Sequence, residues 1–115
     1  MVSDTIIVWS RFICVSLIAM PKARLLMRQK ERFEDGSVLE VVIWKLPASD
    51  PERPHSLKYS LYFGRGDRRL VGYDNERGKG DHRHYGDHEA PYRSVSLVRL
   101  LQDFYEDLAR ERGLP

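Results

Sequence analysis

The stretch Lys22-Ala23-Arg24-Leu25-Leu26-Met27-Arg28-Gln29-Lys30-Glu31-Arg32-Phe33-Glu34-Asp35-Gly36-Ser37-Val38-Leu39-Glu40-Val41-Val42-Ile43-Trp44-Lys45-Leu46 decides the fold. Its first half alternates. Ala23, Leu25 and Met27 point one way; Lys22, Arg24, Arg28, Lys30 and Arg32 point the other, and Leu26 interrupts the pattern. A period of two with one apolar face marks a half-buried strand, because successive side chains leave a strand on opposite faces. Asp35-Gly36 then predicts a hairpin, since a tight turn between two strands needs positive φ. Val38 to Leu46 is the second strand, rich in β-branched residues and carrying Trp44.

Outward from this hairpin the same grammar repeats. Pro47, Pro51 and Pro54 end the second strand and hold an extended polar linker. In Leu57 to Phe63, residues Leu57, Tyr59, Leu61 and Phe63 share a face, so this is the third strand. Gly64-Arg65-Gly66-Asp67 is a second hairpin turn. Arg68 to Tyr73 is a short fourth strand, and His82 to Tyr85 is a fifth strand or an ordered loop. Ser94 to Arg112 then reads as a helix: Leu97, Leu100, Leu101, Phe104 and Leu108 fall on one stripe at helical spacing, with Asp103, Glu106 and Asp107 opposite. Ser94 or Ser96 supplies the N-cap, Gly113 and Pro115 close the helix, and Arg110 and Arg112 sit at its negative end. The sum predicts an α+β fold, an antiparallel β-meander of four to five strands with a C-terminal helix packed on one face. With Leu25 and Met27 toward the helix, the cations of the first strand lie on the opposite side.

Composition sets the remaining bounds. At 115 residues, with 42% hydrophobic residues, this is one small domain with a modest core. Charged residues make up 31% of the chain but the formal net charge is only +2, so distribution of charge matters more than its sum. A single cysteine, Cys14, precludes an internal disulfide and fits a reducing compartment. Residues 1–19 read as an N-terminal extension before a domain over residues 20–115. Its apolar run is broken by Arg11 and is shorter than the roughly 20 residues a membrane span needs. Asp4 stands where a signal peptide wants positive charge. The extension is expected to pack on the sheet in the cytoplasm or to reflect an upstream start codon, Met20-Pro21-Lys22 making an ordinary beginning. No membrane partner is expected.

The most unusual segment runs from Tyr73 to Tyr85. It holds two glycines, a lysine, two arginines and two of the four histidines, His82 and His84, with His88 just beyond. A polar stretch this long between a strand and a helix has little to bury, and such loops are usually functional or disordered. From Gly72 to His84 (Gly72-Tyr73-Asp74-Asn75-Glu76-Arg77-Gly78-Lys79-Gly80-Asp81-His82-Arg83-His84) the chain resembles the TumE family, toxin halves of bacterial toxin–antitoxin pairs. The resemblance extends to Lys22-Ala23-Arg24-Leu25-Leu26, to Asp35-Gly36-Ser37 with Leu39-Glu40-Val41, and to Pro91-Tyr92, covering roughly Met20 to Arg112. It implies a small cytoplasmic toxin with a cognate helix-turn-helix antitoxin, inhibiting growth by acting on RNA.

The residues themselves suggest how. If Asp81 to Tyr85 is extended, His82 and His84 share a face with Cα atoms about 6.6 Å apart. Two imidazoles at that separation can flank one phosphodiester, one taking the ribose 2′-hydroxyl proton and the other protonating the departing 5′-oxygen. Lys79 joins His82 and His84 as a catalytic candidate, offsetting transition-state charge. Arg77 and Arg83 would hold phosphate, Tyr73 and Tyr85 would stack on splayed bases, and Lys22, Arg24, Arg28 and Lys30 would track the backbone. The expectation is metal-independent RNA cleavage with no cofactor. The competing chemistry is a metal held by Asp81, His82, His84 and His88. The plainer alternatives are a non-catalytic module that binds RNA or an antitoxin, surface ion pairs between the loop's basic residues and Asp74, Glu76, Asp81 and Asp87, and a basic edge strand that resists edge-to-edge pairing.

Overall fold

The hairpin at Asp35-Gly36 forms as its sequence demands. Gly36 has φ 87°, and the Asp35 carboxylate accepts from the Ser37 amide at 2.9 Å and its hydroxyl at 2.5 Å. The computed structural model describes residues 22–75 and 80–113. Across them run six strands, β1 (Arg24–Arg32), β2 (Ser37–Lys45), β3 (Leu57–Arg65), β4 (Arg68–Asp74), β5 (His82–Tyr85) and β6 (His88–Pro91), then a helix, α1 (Leu97–Glu111). Every strand pairs antiparallel with its sequence neighbour in the order β1-β2-β3-β4-β5-β6. This is the expected α+β meander with one strand more than expected. The addition is β6, turned back from β5 at Gly86-Asp87, where Gly86 takes φ 60° and its N–H donates to the Leu70 carbonyl at 3.0 Å.

The helix covers one face of the sheet and, among the described residues, the other is left open. Leu39, Val41 and Ile43 of β2, Leu57, Tyr59, Leu61 and Phe63 of β3, and Val71 and Tyr73 of β4 are buried against Leu100, Phe104 and Leu108 of α1. Leu97 and Leu101 flank this contact, so the apolar stripe read from helical spacing is the stripe that packs. Ser96, rather than Ser94, caps the helix, its side chain accepting from the Arg99 amide. Between β2 and β3 the proline-bounded linker folds back into a closed loop, Leu46 N–H donating to the Ser56 carbonyl at 2.8 Å.

β1 departs from its predicted phase. A bulge between Leu25 and Met27 places Leu25 opposite Trp44 and Met27 opposite Ile43, so Leu26 is the extra residue. Cross-strand partners share a face. Arg28, Lys30 and Arg32 therefore stay on the open face, whereas Arg24, opposite Lys45, falls on the helix side's parity. The row of five cations is thus broken, and Leu25 is 43% exposed rather than buried under the helix. Lys22 precedes β1 and is exposed. Residues 1–19, and with them the expectations about the extension, lie outside the described residues. Among the described residues no helix is long and apolar enough to cross a membrane.

Candidate functional site

Strand register assembles the site. One cross-strand row on the open face runs Lys30, Glu40, Tyr62, Gly72, His84, Glu89; its neighbour runs Arg28, Val42, Ser60, Asp74, His82, Pro91. His82 and His84 therefore share a face, as expected of an extended segment. Their ring centroids are 5.1 Å apart and the rings stand at 82°. Across from His82 is Asp74, whose Oδ1 lies 2.5 Å from His82 Nε2. The other nitrogen, Nδ1, lies 3.0 Å from the Gly80 carbonyl, an acceptor only, so the contact requires a proton on Nδ1. His82 is buried, and His84 is half-exposed beside it.

Gly72, opposite His84, leaves space that Arg69 fills: a Cβ there would stand 2.6 Å from Arg69 Cδ. Burial first, then the Arg69 cation, hold the His84 imidazole below the usual histidine value. Further along the open face a groove of about 350 Å³ is lined by Lys30, Arg32, Val38, Glu40, Tyr62 and the Gly64–Gly66 turn. Lys30 pairs with Glu40 there at 3.3 Å, both well exposed. Four strand spacings separate Lys30 from His84, about 19 Å. The open face thus carries a basic strip at one side and a paired-imidazole cluster at the other, with Arg69 beside the imidazoles.

Several residues expected at the site lie elsewhere. Tyr73, Arg83, Tyr85 and His88 follow the alternate parity and belong to the helix side. Tyr73 is 1% exposed, which removes it as a base-stacking surface. The Tyr73 and Tyr85 hydroxyls both donate to Asp107 Oδ2, the latter at 2.8 Å, and Arg83 Nη1 donates to the Tyr73 hydroxyl at 3.3 Å. The Arg83 guanidinium sits 5.4 Å from the ring centres of both Tyr85 and Tyr92. Its cation is held in a structural network and is not presented with the imidazoles. Asp81 also turns away. It accepts from the Tyr59 hydroxyl at 2.7 Å, the Ser94 amide at 3.0 Å and His55 Nε2 at 3.1 Å. Leu57 N–H donates to His55 Nδ1, which fixes the proton on Nε2 and completes the clamp. The expected quartet Asp81, His82, His84, His88 is therefore not assembled. Arg77 and Lys79 lie outside the described residues.

Sequence reasoning missed Asp74, Arg69 and the buried Asn75. Asn75 continues the β4 edge with its side chain, Oδ1 accepting from the Tyr59 amide at 3.0 Å and Nδ2 donating to the Leu57 carbonyl at 2.7 Å. The available signal was parity: Asp74 and His82 share a face once β4 and β5 are paired through residues 75–81, and pairing is a tertiary fact.

A comparison with protein-family models matches the family described as Toxin TumE over residues 16–112. Neither a curated protein nor a solved structure matches the chain. With most of its length matched, the chain belongs to the TumE family, toxins of toxin–antitoxin systems, for which an antitoxin is the partner.

Proposed function

We propose that this toxin acts in the cytoplasm by metal-independent cleavage of RNA laid across the open sheet face, and that its antitoxin is a helix-turn-helix protein. The observation that carries the cleavage reading is the pair of imidazoles 5.1 Å apart on one face, with Asp74 behind His82 and Arg69 beside His84. His84 is the more accessible ring, and its depressed basicity favours the neutral form that accepts a proton. It removes the proton from a ribose 2′-hydroxyl. The 2′-oxygen bonds to phosphorus, the bond from phosphorus to the 5′-oxygen breaks, and the 5′-oxygen takes the Nε2 proton of His82 in its imidazolium form, whose other proton stays on Nδ1 toward the Gly80 carbonyl. The products are a 2′,3′-cyclic phosphate and a 5′-hydroxyl end. In the bound state the leaving oxygen replaces Asp74 Oδ1 at Nε2. Arg69 offsets the charge on the phosphorane, and Arg28, Lys30 and Arg32 hold the flanking backbone.

One observation favours a second reading, RNA or antitoxin binding without turnover: both His82 nitrogens already face acceptors. Purified protein with chelator present separates the two. His82→Ala and His84→Ala are each expected to slow RNA cleavage at least about 100-fold and to relieve growth inhibition, with circular dichroism unchanged. Full toxicity in both variants ends the catalytic reading, and binding without cleavage by the unmodified chain favours the second. Loss of cleavage on chelation ends the metal-independent form.

A further inference from the structure

We propose that Asp74, His82 and His84 form a binding site for one divalent transition-metal ion of the zinc class. One carboxylate oxygen and one nitrogen from each imidazole lie within 4.8 Å of one another. The backbone sets this arrangement, since Asp74 is directly across from His82 and His84 is two residues along the same strand. Two further observations point to an ion. The Gly80 carbonyl at His82 Nδ1 leaves Nε2 aimed at Asp74, the outer partner that metal-ligating histidines usually have. Asp74 Oδ1 is buried and has no hydrogen-bond partner among the described residues, although His82 Nε2 is only 2.5 Å away: the two atoms are close without a bond aligned between them. A buried acceptor in that position has a need that a cation meets.

The donor set selects the class. Two imidazoles and one carboxylate suit zinc and its first-row neighbours, whereas magnesium and calcium prefer all-oxygen shells. In a tetrahedral site with bonds of about 2.0–2.1 Å, ligand atoms stand about 3.3 Å apart. His82 Nε2 and Asp74 Oδ1 would separate by roughly 0.8 Å and His84 would close in, leaving a fourth position toward the open face. His88 and Asp81 lie on the other face and take no part.

The ion would occupy the nitrogens that the proposed cleavage uses, so zinc is expected to inhibit it; that consequence rests on the nuclease reading, while binding does not. The test is calorimetric titration of zinc chloride into the chelator-stripped full chain, with cobalt(II) absorbance as a second readout. One equivalent is expected. Asp74→Ala and His84→Ala should each weaken binding by at least about tenfold with the far-ultraviolet spectrum unchanged, and His88→Ala should match the parent. No binding, or undiminished binding in both variants, overturns the site. RNA assays on the same samples keep the two proposals apart. Stripped protein that binds zinc but never cleaves RNA removes the nuclease reading and leaves the ion site standing. Cleavage at an equal rate with and without zinc overturns the competition.

Discussion

Asp107 is a carboxylate 5% exposed with three donors around it: the hydroxyls of Tyr73 and Tyr85, and Arg110 Nη2 at 2.6 Å. The sequence reading set it opposite the apolar stripe, but it stands seven residues after Leu100, only about 20° round the helix from it at 3.6 residues per turn. It therefore lies at the stripe's edge and is buried with Leu100, Phe104 and Leu108, where the tyrosines of β4 and β5 need an acceptor. Asp107→Ala strands the buried Tyr73 hydroxyl, the half-buried Tyr85 hydroxyl and the Arg83 cation beside them, whose Nε already lacks a partner among the described residues. A loss of about 3 kcal/mol is expected in urea unfolding. Tyr85→Phe removes one donor and leaves the carboxylate satisfied by the others, so its cost should stay near 1 kcal/mol.

At the level of elements, the two sheet irregularities do most to shape the open face. The bulge at Leu26 splits the cation row. The second lies between Phe63 and Gly64, where β3 meets β4 and Arg69 comes opposite Gly64. A Cβ at Gly64 would stand 2.5 Å from the Arg68 carbonyl and would also meet the Tyr62 hydroxyl. Backbone at such a register shift yields little, so Gly64→Ala should lower stability by about 1–3 kcal/mol in thermal unfolding. At Gly72 the first atom met is Arg69 Cδ, on a flexible side chain, so that alanine mainly displaces the cation from beside His84. Strand identity was legible from alternation wherever a strand spans the core, as in Leu57 to Phe63. It failed at β6, whose four residues have little to bury and whose marker, Gly86-Asp87, is a short turn inside a polar segment.

For the whole molecule, tyrosine burial on the helix side predicts an alkaline limit. Desolvation is the largest cause that pushes the phenols of Tyr59, Tyr73, Tyr85 and Tyr92 upward, and hydrogen bonds to nearby carboxylates add to it. A raised folded pKa means the folded state keeps protons that the unfolded chain releases. The stabilisation is whole below the unfolded tyrosine value of about 10 and is lost as pH rises past it. The urea midpoint should hold up to that pH and then fall steeply. Tyr73→Phe, with one fewer phenol to ionise, should show a shallower fall, and equal slopes would contradict the linkage.

Local pattern alone determined that this chain builds an antiparallel meander with one covering helix, because periods of two and of 3.6 residues are visible in the order of residues. It also put His82 and His84 on one face on the condition that residues 81–85 are extended, since their spacing matches the strand repeat. Only the tertiary structure decided what surrounds them. Register placed Asp74 against His82, swung Asp81 into the His55 clamp, and buried Tyr73 on the helix side with the half-buried Arg83 beside it. Those outcomes depend on which strand lies beside which and in what phase, a relation between distant residues that no local repeat encodes.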